Sequence, residues 1–310
     1  MGSLERQATS WLRQGPCEGE RSQITMLESG VRRKAPAPFG AGERLQSPTY
    51  RYQARQMTMA GDSFLNDEVL LWRESELRSS TLDKRDAFTS VNARRHFNEG
   101  FVRRHYMLQS SRLFLSQHCR QGRKEPLSPY EATDCAIHLN AYYLNLRGTL
   151  DNLAWVLQYE WQLLADVTEE GGRGRQACSL FSPRFLAALK SQHPKLASVF
   201  EQHGHWASEL AQLRDPAAHR VPIYVPPSVI TSQEQVDKFR RIEAQADAAP
   251  SERGDKPISE IYRQAQAVAD FAPVMILSTP QGLEMRFISE QVRYDHDKYL
   301  TIARAVVDAL

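Results

Sequence analysis

Arg214, Asp215 and His219 lie in the run Leu213-Arg-Asp-Pro-Ala-Ala-His-Arg220, and their types and spacing are suited to chemistry on a phosphodiester. Arginine is a permanent cation whose planar fork can hold two phosphate oxygens. Histidine exchanges protons near neutrality. RNA carries its own nucleophile in the 2′-hydroxyl, so a protein that cleaves it need supply only proton transfer and charge stabilisation. In that reading His219 moves the proton, Arg214 stabilises the charge that builds on phosphorus, Asp215 orients one of them and Arg220 adds a phosphate contact. The same residues also have a structural reading. Asp215 then caps a turn, Arg214 pairs with a nearby acid and His219 hydrogen-bonds a carbonyl.

Geometry bears on the choice. On a straight helix, positions five apart point about 140° away from each other. The sequence offers a way round this, because Pro216 can open a new turn with Asp215 as its N-cap, leaving Arg214 outside it. A composite site across a homodimer is the other solution.

The elements that would position these residues are helical. Phe64, Leu65, Val69, Leu70 and Leu71 suggest a short helix capped by Asp62 or Ser63. A longer one is expected over 84–121, with an interruption at Gly100. Ser128-Pro129 opens the next, and its apolar residues (Ala132, Ala136, Leu139, Tyr143, Leu146, Leu150, Leu153, Leu157, Leu164) recur at threes and fours. The two long helices are expected to pack antiparallel. Glu170-Gly-Gly-Arg-Gly174 reads as a loop. Ser182-Pro183 starts a short helix and Pro194 another, reaching Leu213. Pro222 and Pro226 favour an extended segment over 221–225. Residues 249–257 read as a loop. Pro280-Gln-Gly282 separates two short apolar runs as in a β-hairpin, and a last helix is expected over 297–310.

The chain therefore reads as mainly α-helical. Residues 1–60, rich in Gly, Pro, Ser and Arg, are expected to be a disordered extension. Residues 61–225 are expected to form an antiparallel helical bundle. Residues 226–310 are expected to add the hairpin and the final helix, packed on that bundle. Met57 and Met59 precede the first apolar segment, and translation from there is one expectation for the native start.

The Arg-x4-His run closing a helical stretch resembles the motif of the HEPN superfamily. That superfamily comprises all-helical domains, many of them metal-independent endoribonucleases and others inactive partners or RNA-binding modules. Asp215 fits its preference for a polar residue after the arginine. The resemblance implies a HEPN-like bundle over about 85–220, catalytic roles for Arg214 and His219, a homodimer and no cofactor. It also implies a setting such as toxin–antitoxin systems or phage defence, with an antitoxin-like protein partner. Asp-Asn-Leu-Ala-Trp at 151–155 and His-Arg-Val-Pro-Ile-Tyr-Val-Pro-Pro at 219–227 look like segments of a group of uncharacterised bacterial proteins.

RNA is also suggested by the basic stretch from Arg94 to Lys124. There Arg94, Arg95, Arg103, Arg104, Arg112, Arg120, Arg123 and Lys124 face a single acid, Glu99. Arg103, Arg104 and Arg112 are candidate RNA contacts with Arg220, and Phe97 and Phe101 are expected in the core. Asp151 and Asn152, on an apolar helix, are expected to hydrogen-bond across the bundle.

Other chemistry finds little support. His203-Gly-His205 lacks further ligands and reads as a loop pair beside Trp206, with no metal. Gly171-Gly-Arg-Gly174 has no following Lys-Ser or Lys-Thr and is no phosphate loop of the Walker type. No Gly-x-Ser-x-Gly elbow occurs. Cys17, Cys119, Cys135 and Cys178 are too scattered for a zinc pattern and are read as reduced thiols. The composition, 41% apolar and 25% charged with a net charge of +2, is that of a globular protein. No run approaches the roughly 20 apolar residues of a membrane span; the cysteines read as reduced thiols make the cytoplasm the expected location.

Overall fold

The computed structural model describes residues 68–120, 122–168, 172–219, 221–230, 232–247, 264, 267–279 and 282–310. The expectations for residues 1–60, for a cap at Asp62 or Ser63 and for the loop at 249–257 fall outside these residues. The described chain is mainly helical, with one small two-stranded antiparallel sheet near the C-terminus. It divides into a helical unit (63–118, 135–223 and 287–310) and a smaller unit (119–134 and 224–286, with the N-terminal segment).

In the helical unit α1 spans Glu68–Lys84, beyond the short helix expected. Its buried face is Leu70, Glu74, Leu77 and Thr81, an apolar spacing with two polar members. The next helical run starts at Val91, seven residues later than the start expected at Lys84. It comprises α2 (Val91–Arg95), a π-helical stretch (His96–Val102) and α3 (Arg103–His118). Ser90 caps it, accepting from the Ala93 N–H at 3.3 Å. The expected break at Gly100 is the π stretch instead. A turn bonded i→i+5 takes in one extra residue, which keeps Phe97, Phe101 and His105, spaced by four, together on the buried face.

Helix α4 spans Pro129–Trp161, and its residues from Cys135 onward belong to this unit. It runs antiparallel to α2–α3. Phe114 stacks on His138, Arg104 bonds Asn145, His96 stacks on Trp155, and Thr89 bonds Glu160. As one number falls the other rises. The stripe of Leu139, Tyr142, Tyr143, Leu146, Leu153 and Leu157 is fully buried.

Residues 172–177 form a short helix, α5, where a loop was expected. Ser182 caps α6 (Pro183–Gln192), with Pro183 in the first turn. The single helix expected from Pro194 is two, α7 (Pro194–Gln202) and α8 (Gly204–His219), because His203 leaves helical geometry with φ −105° and ψ 7°. Helix α8 continues through Pro216, so the restart at Asp215 does not occur. The last helix of the unit is α10 (Ile288–Ala309), nine residues longer at its start than expected.

The smaller unit contains α9 (Gln233–Asp247) and the hairpin β1 (Val274–Thr279) and β2 (Gly282–Phe287). Gly282 has φ +129°, a value that suits glycine alone. The expected extended segment joins the hairpin through the antiparallel bridge Tyr224–Ile276, and Val229 bridges Asp270. Val236 and Phe239 of α9 pack on Ile230 and Ala269. The Arg123 guanidinium lies 5.6 Å from the centre of the Phe271 ring.

Candidate functional site

Helix α8 carries the Arg-x4-His run and buries Trp206, Leu210 and Leu213 along one side. Arg214 is half-buried beside them, and its Nη1 donates to Asp215 Oδ1 at 3.1 Å. The arginine thus pairs with the adjacent acid, as in the structural reading, and Asp215 does not cap a turn. Because the helix is continuous, backbone positions 214 and 219 lie about 140° apart around its axis. The His219 side chain and all of Arg220 lie outside the described residues.

The histidine pair near Trp206 is not a loop pair. His203 ends α7 with its Nδ1 2.7 Å from the Val199 carbonyl, and His205 sits on the first turn of α8, exposed, 3.7 Å from Glu209. Among the described residues no group of three or more His, Cys, Asp or Glu side chains could hold a metal ion. No helix there is long and apolar enough to cross a membrane.

The candidate RNA-contacting arginines part company. Arg103 is exposed, with Glu99 at 3.9 Å. Arg112 is not at the surface: its side chain is 6% exposed, and Nη2 donates to Glu74 Oε2 at 2.7 Å. A guanidinium sequestered in this way is unable to meet a phosphate, which corrects the expectation for Arg112. Phe97 and Phe101 are in the core, as expected.

Arg104 is held in a polar seam between α2–α3 and α4. Its Nε–H donates to Asn152 Oδ1 at 3.2 Å and Nη1 donates to Asn145 Oδ1 at 3.0 Å. Arginine only donates, so both amides must turn their oxygens toward it. Asn145 then spends its N–H on the Ala141 carbonyl at 2.8 Å. Asn152 Nδ2 faces His96 Nδ1 at 3.2 Å. With its oxygen on Arg104, the Asn152 amide presents N–H to His96 Nδ1. The His96 ring stacks on Tyr159 (5.6 Å between centres) and Trp155 (6.0 Å). Two glycines make room. A Cβ at Gly148 would fall 2.7 Å from the Arg104 guanidinium carbon, and one at Gly100 would fall 2.5 Å from the Asn152 amide. The expectation that Asn152 bonds across the bundle is met, whereas Asp151 pairs along its own helix with Arg147 at 3.2 Å.

A second polar cluster lies inside the helical unit, where sequence reasoning placed none. Glu74 (α1) accepts from Arg112 (α3) and from His296 Nε2 (α10) at 2.6 Å. The Tyr142 hydroxyl (α4) stands 3.2 Å from His296 Nδ1. His296 donates Nε2–H to the Glu74 carboxylate, and the Tyr142 hydroxyl also has the Val292 carbonyl in reach at 3.4 Å. Burial, working against the attraction of Glu74, holds the His296 pKa below the usual histidine value. Burial also pushes the Glu74 carboxyl up, but the His296 bond and the charge of Arg112 outweigh this and hold it below the usual range. His105 bonds the Tyr299 hydroxyl at 2.8 Å, and burial, reinforced by the neighbouring His296, lowers its pKa to about 4. Close by, Asp295 accepts from Trp206 Nε1 at 2.9 Å, Tyr143 at 3.0 Å and Gln291 at 3.0 Å. The available signal was position. Glu74, Arg112 and His296 each sit where helical spacing calls for an apolar residue.

Comparison with protein-family models, with curated protein sequences and with solved structures finds no match to the chain.

Proposed function

We propose that this chain is a helical RNA-binding protein whose α2–α3 run faces the nucleic acid. One observation carries the reading. From Val91 to His118, Glu99 is the only acid, while Arg94, Arg95 and Arg103 are exposed. Such a face attracts phosphates and releases their counterions. Tyr106, 47% exposed on the same run, offers a ring for a base to stack on. The test is binding of single-stranded RNA followed by anisotropy across a salt series. Replacing Arg94, Arg95 and Arg103 by Gln should weaken binding and flatten the salt dependence by about 0.7 log units per lost contact. An unchanged slope would remove the reading.

A second reading makes the HEPN-like chain a metal-independent endoribonuclease working through Arg214, Asp215 and His219. It is favoured by the half-exposed Arg214, whose ion pair is with the neighbouring Asp215 alone among the described residues. Exchanging that pair for a phosphate costs little, since exposed pairs are worth only about 0–1 kcal/mol. The angle between Arg214 and His219 on one helix then requires a homodimer, each copy supplying one of the two. A toxin or phage-defence setting, with an antitoxin-like partner, belongs to this reading.

A further inference from the structure

Arg104 differs from the other arginines of its run. It is half-buried, and its two described partners are the neutral amides of Asn145 and Asn152. No carboxylate lies within 4.0 Å of it among the described residues. A partly desolvated cation without a counter-charge is costly to keep. The cost is greater here because Gly148 and Gly100, both on helices, give up helix propensity to make the room. Nε–H and one of the two Nη1 hydrogens are spent on the amides, but no described residue hydrogen-bonds Nη2. The second Nη1 hydrogen and Nη2 thus remain on the end-on edge of the fork, one of the two edges with which arginine grips two oxygens of one anion.

We infer that the seam between α2–α3 and α4 is a phosphate seat, with Arg104 gripping the oxyanion, Asn145 and Asn152 as positioning residues, and Gly148 as the residue that admits the guanidinium. The stacked rings of His96 and Tyr159 flank the seam and suit a phosphate that arrives with a base attached. The seat needs only a phosphate monoester or diester; it rests on the RNA-binding reading for one point, that RNA is the source.

The experiment follows the Arg Nε–Hε resonances of the full chain during titration with inorganic phosphate, adenosine 5′-monophosphate and a short single-stranded oligoribonucleotide. Saturable movement of the Arg104 resonance with phosphate and with the nucleotide is expected. Gly148→Ala keeps every charge but displaces the guanidinium. It should weaken binding by roughly tenfold or more, the fold-change that losing one hydrogen bond to a charged group gives. Arg104→Lys, read by phosphorus NMR of the added phosphate, keeps the charge without the fork and should lose binding likewise; it decides the matter if Gly148→Ala fails to fold. A silent Arg104 resonance, or wild-type affinity in Arg104→Lys, overturns the seat. If RNA binds through Arg94, Arg95 and Arg103 while Arg104 stays silent, the seat alone falls. If phosphate moves Arg104 and the oligoribonucleotide does not, the RNA-binding reading falls and the seat stands.

Discussion

Glu74 and His296, 222 residues apart in the chain, meet at 2.6 Å with both side chains in the interior. The second carboxylate oxygen of Glu74 takes the Arg112 guanidinium, so one acid ties α1, α3 and α10 together. A buried pair of this kind adds little over an apolar packing, yet removing one partner leaves an uncompensated charge. Arg112→Met should therefore destabilise the protein by about 3–5 kcal/mol, read by denaturant unfolding. Glu74→Gln combined with Arg112→Met should recover part of that loss. A cost for Arg112→Met near that of a surface substitution would contradict the burial.

Acid should unfold the helical unit in two overlapping steps. The folded state holds His105 neutral, with a pKa moved from 6.5 to about 4. Between those values the unfolded chain binds more protons, so stability falls as pH is lowered through that window. The contribution is on the order of 3 kcal/mol. His296 acts in the same direction. Glu74 is held below its ordinary value, so its contribution is present above 4.5 and is lost at lower pH. Stability measured against pH should slope upward from about 4 to 6.5, and His105→Phe should reduce that slope by up to one proton.

Gly100→Ala tests the fit between the π stretch and α4. The new methyl meets an amide already fixed by Arg104 and His96, and overpacking of this kind typically costs about 1–3 kcal/mol. In Asn152→Ala the space is empty, so the same glycine replacement should be nearly free there. The two substitutions should be strongly non-additive in unfolding experiments.

In the ribonuclease reading, cleavage persists in EDTA and leaves a 2′,3′-cyclic phosphate. Arg214→Ala and His219→Ala each lower its rate by about 10²–10⁴-fold, and Arg214→Lys rescues poorly because an ammonium lacks the fork. DNA, without the attacking hydroxyl, is not cut. Light scattering should give a dimer mass. A monomer, or full activity in His219→Ala, removes this reading and leaves RNA binding as the proposal.

The sequence made α4 legible through apolar residues at threes and fours, and α6 through Ser182-Pro183. Pro280-Gln-Gly282 marked the hairpin. Helix α9 went unseen because Val236, Phe239 and Ile242 are thinly spread among charged and amide side chains. The extent of α1 was hidden because Glu74 and Thr81 occupy half of its buried face. Arg112 shows the limit most plainly. A charge between Leu108 and Leu115 reads as a surface contact until its partner, in another helix, is known. Pro216 suggested a break, but it sits close to the C-terminal end of α8 in a helix already anchored by Trp206, Leu210 and Leu213. Asn152 was correctly read as bonding across the bundle, but the partnership with Arg104 and His96 depended on the α2–α3 register, which the π stretch sets.

The pairing of α1 with α10 also constrains how the protein is made. Arg73 bonds Asp297 and Thr301, and Arg304 reaches the Glu76 carbonyl. During synthesis α1 leaves the ribosome long before α10 exists. Until then Arg73 lacks Asp297 and Thr301, and Glu74 lacks one of its two partners. Chains emerge at about 5–20 residues per second, so the wait lasts on the order of ten seconds or more. A nascent chain halted before Ile288 should accordingly be protease-sensitive at α1 and a substrate for chaperones, and release of the full chain should abolish both.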